Sequence, residues 1–279
     1  MVEASEISTL IKKGVDAKLI YAFVRNATRA EHLRKLGVNI VFGDYNNYSS
    51  MANAFFGIDK LLFVSSGEMV NRSEQHLQVI RAARKAGVKH LIYTSQLHRT
   101  YSDNSAIRFV LKSHLVTETS IMMSGMDYTI LRNGVYLDLI PMLLGDRFLE
   151  SGIIFLPAGQ GSIAFTLRSE LAEVAAHILL SQGHEDKIYE LGGSDVSFKE
   201  VAAILSEITG RMIVYSSTDI ESYIDSTIAS GVPKKYAQML AAFAQAASER
   251  ELECGSPHLE KLLGRKPAAV AGFLREVYE

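Results

Sequence analysis

Short apolar runs separated by helix-length amphipathic stretches constrain this chain more than any other feature. The runs are LIYAFV (19–24), VNIVF (38–42), KLLFV (60–64), HLIYTS (90–95) and DYTILR (127–132), with helical patterns at 70–86 and 106–124. Strands alternating with helices make βαβ units, and therefore a mostly parallel sheet with helices on both faces. The right-handed crossover rule then favours an α/β fold built on a doubly wound parallel sheet. Ahead of the first run, Ile7, Leu10 and Ile11 recur at helical spacing and Gly14 stands where a helix would stop, so the chain reads as a helix leading into a strand.

After Gly134 the rhythm loosens. Residues 153–155, 187–191 and 212–215 read as further strands, 167–181 and 198–210 as helices, and the rest as a helical tail. The expected division is a nucleotide-binding domain at 1–150 and a smaller α+β substrate-capping domain at 151–279, interleaved with the first. The lone GxG at Gly159-Gln160-Gly161 is not placed between a strand and a helix, so it reads as a loop.

Composition excludes several classes. Net charge is −2 with scattered basic residues, which marks no nucleic-acid surface. The single cysteine, Cys254, rules out a disulfide framework and a cysteine-based zinc site. No apolar run approaches the roughly 18 residues of a membrane span, and no secretory leader is visible. A cytoplasmic protein is the expectation.

In open parallel sheets, ligands bind outside the carboxyl ends of the strands. The residues there are Arg25-Asn26, Gly43-Asp44, Ser65-Ser66-Gly67, Thr94-Ser95 and Arg132-Asn133-Gly134, small, polar or glycine at every end. Five such ends in order point to a mononucleotide or dinucleotide cleft. Arg25, at the first strand end, suits the 2′-phosphate of NADP, or is a solvated arginine. Asp44 bonds an adenine edge or caps a turn. Ser65-Ser66-Gly67 lets a backbone approach a ribose or phosphate, or is a plain turn. His114 and Glu118 share a helix face; a metal pair lacks a third ligand, and a solvated i,i+4 pair is the plainer account. No G-x-S-x-G elbow and no P-loop lysine is present.

Several stretches together resemble one family. FVRNATRAEHLRKLGVNIVFGDY, LLFVSSGE, VIRAARKAGVKHLIYTS, HLVTETSIMMSGMDYTILRNGVY and KIYELGGSDVSFKEVAAILSEITG are similar to the NmrA-like branch of the atypical short-chain dehydrogenase/reductases. Within it the chain looks most like the bacterial NAD(P)H:quinone oxidoreductases of type 2. The resemblance implies a Rossmann-like NADP-binding domain, with NADPH preferred over NADH, and a small C-terminal substrate domain. By the same resemblance Arg25 holds the 2′-phosphate, Ser65, Ser66 and Gly67 the middle of the cofactor, and Thr94 and Ser95 lie near the nicotinamide. Asn133, Gly134 and Tyr136 line the nicotinamide and substrate end, and Arg168 reaches into the cleft from the smaller domain.

Two departures matter. No tyrosine has lysine four residues later, so the Tyr-x-x-x-Lys proton donor of typical short-chain dehydrogenases is missing, and His114 stands in the column where the lysine often falls. That disfavours alcohol oxidation but suits direct hydride transfer to a quinone, the proton coming from water or His114. Second, the family's first strand and its TGATGxLG-like turn are absent ahead of SEISTLIKKG. Glu3 and Glu6 in that first helical turn suit the helix dipole but repel a phosphate. Three accounts follow: a start missing some 15–20 residues, flanking strands that close together, or another chain filling the gap. The favoured one is a truncated chain whose full-length form is the enzyme. The expected function is an NADPH-dependent oxidoreductase acting on quinones or similar electrophiles, as a possible homodimer. The alternative is a non-catalytic dinucleotide-sensing regulator with a protein partner, or a homologue impaired in cofactor binding.

Overall fold

The computed structural model describes residues 2–68, 70–99, 102–145 and 147–279, without the side chains of 2–4, 27 and 29; the Glu3 carboxylate therefore lies outside what is described. The apolar spacing at the start does make a helix, α1 (Val2–Lys12), with Ile7 and Leu10 buried. Gly14 turns the chain at φ +88°, a conformation that glycine adopts without a Cβ penalty. Asp16 then accepts from the Lys18 N–H at 2.9 Å and caps one short turn, so the first strand begins at residue 21 and not 19. The following elements are β1 (Tyr21–Val24), α2 (Ala27–Lys35), β2 (Asn39–Phe42), α3 (Tyr48–Ala54), β3 (Lys60–Phe63), α4 (Arg72–Ala86), β4 (His90–Gln96), α5 (Arg108–Met122) and β5 (Asp127–Asn133).

Beyond them come β6 (Val135–Tyr136), α6 (Ile140–Leu144), α7 (Phe148–Ser151), β7 (Ile153–Phe155), β8 (Ser162–Thr166), α8 (Arg168–Leu180) and β9 (Lys187–Leu191). The chain closes with β10 (Asp195–Ser197), α9 (Phe198–Thr209), β11 (Val214–Ser216), α10 (Ile220–Ala229), α11 (Lys234–Ser248), α12 (His258–Leu263) and α13 (Val270–Tyr278). The strands β6, β8 and β10 have no counterpart in the sequence reading; two of them are three residues or shorter, below the length at which periodicity is readable.

Two compact units result. The first is residues 1–95, 112–132 and 168–189; the second is 96–111, 133–167 and 190–279. The chain passes between them five times, at 95/96, 111/112, 132/133, 167/168 and 189/190.

In the first unit the parallel sheet expected from the rhythm is present, but divided. One part has the order β1-β2 and the other β3-β4-β5-β9. β1 pairs in parallel with β2 (Tyr21 opposite Asn39), and β3 in parallel with β4 (Lys60 opposite His90). Among the described residues neither β1 nor β3 has a second partner, so the flanking strands do not close on each other. Two cores match the division. One gathers Ile7, Leu10, Ala22, Val24, Leu33 and Ala176, the other Met51, Phe55, Phe63, Val79, Leu91 and Ile130.

In the second unit, β8 lies between β10 and β6, and β7 pairs in parallel with β11. The GxG loop at 159–161 leads into β8 and packs on α11: a Cβ on Gly161 would collide with the Ala247 carbonyl. Its glycine answers to packing.

Candidate cofactor site

Arg25 follows β1 directly. It is exposed and forms no ion pair with any described residue. After β2, Gly43 leaves room for the Phe23 ring and for Ser50, whose Oγ stands 2.8 Å from where a Cβ would be. Asp44 caps the next turn: its Oδ1 accepts from the Asn46 backbone at 2.7 Å and from Asn46 Nδ2 at 3.0 Å. From there a chain of side chains runs to the end of β3. Gln75 Nε2 donates to Asn46 Oδ1 at 3.1 Å, and Ser66 Oγ donates to Gln75 Oε1 at 2.8 Å.

The Ser65-Ser66-Gly67 loop is held from beneath. The Ser65 N–H donates to Thr94 Oγ1 at 2.9 Å and the Ser66 N–H to His76 Nε2 at 3.0 Å. Those two donors are consumed. Gly67 is different: its N–H has no hydrogen-bond partner among the described residues, and a Cβ there would meet nothing within 4 Å. Of the three, Gly67 is the backbone position open to close approach.

Thr94 and Ser95 are both buried, at 5% exposure, and their hydroxyls turn inward. Ser95 Oγ donates to Glu118 Oε1 at 2.5 Å. Glu118 also receives Arg132, from Nε at 3.2 Å and Nη2 at 2.7 Å, in a two-pronged pair. His114 is buried as well, and its Nδ1 lies 2.8 Å from the Tyr93 hydroxyl. The expectation of a solvated His114–Glu118 pair is thus corrected: their exposures are 3% and 2%, and both turn to β4 or β5 because α5 lays that face on the sheet.

The proton positions follow from the partners. A backbone N–H only donates, so His76 Nε2 accepts from Ser66 and its proton sits on Nδ1. Burial, assisted by nearby Arg72, holds the His76 pKa down to about 3, so the ring is neutral. Thr117 gives its hydroxyl proton to the Ser113 carbonyl at 2.7 Å and accepts from His76 Nδ1 at 2.9 Å. The Tyr93 hydroxyl lies 3.4 Å from that same protonated nitrogen and 2.8 Å from His114 Nδ1. Burial raises the Tyr93 pKa, so the phenol stays protonated.

In the second unit Asn133 is 4% exposed and its Oδ1 has no hydrogen-bond partner among the described residues. Gly134 is fixed by packing: a Cβ would collide with the Ala164 carbonyl and lie 2.9 Å from Thr166 Oγ1. Tyr136, half-buried in β6, stands opposite Thr166 of β8. Arg168 opens α8, which packs on α1; it belongs to the first unit and not to the smaller domain expected from sequence. Sequence reasoning placed Arg132 only as a strand end and passed over Tyr93, Gln75 and His76. Tyr93 lies inside an apolar run and Gln75 and His76 inside an amphipathic helix, where core packing is the ordinary account.

A family model for NAD(P)H-binding proteins matches residues 7–181. The chain is 35% identical over 269 residues to quinone oxidoreductase 2 of Escherichia coli, covering 96% of this chain and 92% of the relative. It is also 30% identical over 249 residues to an NmrA-like family domain-containing oxidoreductase of Aspergillus flavus, covering 86% and 80%. The chain belongs to the NmrA-like NAD(P)H-binding family. A solved structure of this fold, the Citrobacter triphenylmethane reductase complexed with NADP(H), superposes with a TM-score of 0.90 at 35% identity, covering 99% of this chain and 96% of that one. The NmrA-like fold explains the rhythm read from the sequence: a Rossmann-like parallel sheet with helices on both faces.

The residues present suit a dinucleotide. Arg25 is a cation without an ion pair among the described residues where β1 ends, and Gly67 offers a bare backbone. No helix among the described residues is long and apolar enough to cross a membrane.

Proposed function

We infer that this chain is an NADPH-dependent oxidoreductase that reduces quinones or related electrophiles in the cytoplasm. Bound NADPH supplies a hydride directly to the acceptor. Arg25 carries this reading: a guanidinium outside every ion pair of the described residues, at the strand end where the adenosine ribose is read, selects a 2′-phosphate over a hydroxyl. Gly67 lets the backbone come close to the cofactor.

No Tyr-x-x-x-Lys acid is available, which supports acceptors that need none at the moment of hydride transfer. His114 lies against the Tyr93 hydroxyl, away from solvent, and water delivers the proton to the reduced acceptor.

The test is a titration of NADPH and NADH into the chain, followed by nicotinamide fluorescence, for the parent and for Arg25→Ala. Removing a charge-assisted contact worth about 1.5–3 kcal/mol weakens NADPH roughly tenfold or more. NADH binding stays within about twofold. A variant that still prefers NADPH overturns the cofactor assignment.

The divided sheet favours a second reading, a dinucleotide-sensing protein without turnover. NADPH oxidation with a panel of quinones separates the two, since binding without consumption supports the sensor.

A further inference from the structure

Two neighbouring residues of α4 hold Ser66 at two different atoms. Its N–H donates to His76 Nε2 at 3.0 Å and its hydroxyl to Gln75 Oε1 at 2.8 Å. Both partners are buried, Gln75 at 4% exposure and His76 at 0%. A loop that only connected β3 to α4 would find its partners in water and would need neither.

The His76 ring has no freedom to turn. Its Nδ1 lies 2.9 Å from Thr117 Oγ1 of α5, and Phe63 and Tyr93 meet it edge to face, with ring centroids 4.9 and 5.7 Å away. The Ser66 N–H is thereby tied to β3, β4 and α5 at once.

The direction of every bond in the Gln75 link follows from its ends. Asp44 Oδ1 accepts the Asn46 N–H at 2.7 Å, so it is an acceptor, and Asn46 turns Nδ2 to it at 3.0 Å. Asn46 Oδ1 then faces Gln75, which donates from Nε2 at 3.1 Å and keeps Oε1 for Ser66. The Ser66 hydroxyl gives its hydrogen to Gln75 and accepts the Glu68 N–H at 3.1 Å. The loops after β2 and β3 are joined through this one side chain.

The N–H groups of Ser66 and Glu68 are thus both engaged, whereas that of Gly67, between them, has no partner among the described residues. Gly67 has no positive φ, and a Cβ there would meet nothing within 4 Å, so neither conformation nor crowding calls for glycine. Close approach of a ligand is the remaining use of a bare Cα.

We propose that Gln75 and His76 are positioning residues for the dinucleotide: acting through Ser66, they hold the loop so that the Gly67 N–H is the donor left for the cofactor. This rests on the reading of the chain as an NADPH-dependent enzyme. Neither side chain touches the cofactor itself.

The experiment pairs His76→Leu, which deletes the acceptor, with His76→Gln, whose amide oxygen takes the place of Nε2. Nicotinamide fluorescence reads NADPH affinity, the urea midpoint of the ligand-free chain reads stability, and amide hydrogen exchange reads residues 66–68. Both substitutions disturb the same buried space and lower the midpoint. His76→Leu should weaken NADPH roughly tenfold and speed exchange at Ser66, and His76→Gln should return affinity to within about threefold of the parent. A second arm places Gln75→Met in the parent and in a Ser66→Ala chain. It should weaken NADPH roughly fivefold in the first and less than about twofold in the second, because the route through Ser66 is already gone. If His76→Leu does not fold, this arm decides alone.

Unchanged affinity in His76→Leu, or affinity that follows the urea midpoint alike in both His76 variants, overturns the proposal and leaves His76 as core. A Gln75→Met effect of the same size with and without the Ser66 hydroxyl also overturns it. In each of these cases the cofactor reading stands. A parent chain that binds neither NADPH nor NADH overturns that reading, and the proposal with it.

Discussion

The Tyr93 hydroxyl and His114 Nδ1 stand 2.8 Å apart in a hydrogen bond, with Tyr93 fully buried and His114 nearly so. The bond ties α5 to β4 through two polar groups that no water reaches. Replacing Tyr93 by Phe keeps the ring and removes the hydroxyl. The expected loss is about 1–3 kcal/mol of stability, the cost of a buried polar group stripped of its partner, read as a lower midpoint in urea. Hydride transfer to a quinone should change little, because the hydroxyl contacts His114 and not the acceptor.

His76 gives the protein an acid-sensitive link. The unfolded chain binds a proton on this histidine below its ordinary value of 6.5, whereas the folded chain refuses it down to about 3, chiefly through burial. Stability from the neutral ring is therefore complete above pH 6.5 and is lost as pH falls from there toward 3. The slope approaches about 1.4 kcal/mol per pH unit. Urea unfolding at pH 7 and pH 5 should show a stability difference that shrinks by that order in His76→Gln, whose amide oxygen still accepts from Ser66.

Glu118 and Arg132 test whether their pair stabilises or only specifies. Their side chains are 3% and 20% exposed. Glu118→Ala strands the guanidinium and should cost about 3 kcal/mol or more. The double replacement Glu118→Leu with Arg132→Met should recover most of that, because apolar groups of similar volume need no solvation. A double variant as unstable as the single one would mean that Ser95, which also donates to Glu118, carries the loss.

Two glycines from the same set of strand ends should part company. Gly134→Ala drives a methyl against the Ala164 carbonyl and should lower the unfolding midpoint by about 1–3 kcal/mol equivalent. Gly67→Ala meets open space and should leave stability within about 0.5 kcal/mol. If the dinucleotide backbone approaches there, it weakens NADPH binding instead, as nicotinamide fluorescence would register.

The divergence of those glycines shows how much of the site was legible in the residues. Arg25 could be placed because a strand end in a doubly wound sheet has a known direction, and the structure leaves it exposed there. Thr94, Ser95 and Ser66 occupy the strand ends where they were expected, yet their hydroxyls are spent on Ser65, Glu118 and Gln75. No periodicity shows that, because the partners lie on other elements. His114 and Glu118 share a helix face as their spacing requires, but whether that face meets water or β4 is decided by packing.

The sequence by itself determined the order of strands and helices, the parallel sheet and the strand ends where polar residues gather. Those follow from local spacing and from chain connectivity, which allows few topologies. Only the tertiary structure decided that β1 and β3 stay apart, that His76 is neutral, and that Gly134 serves packing while Gly67 faces open space. Each depends on which atoms from distant parts of the chain come within a few ångströms, and residues far apart in sequence carry no mark of that closeness.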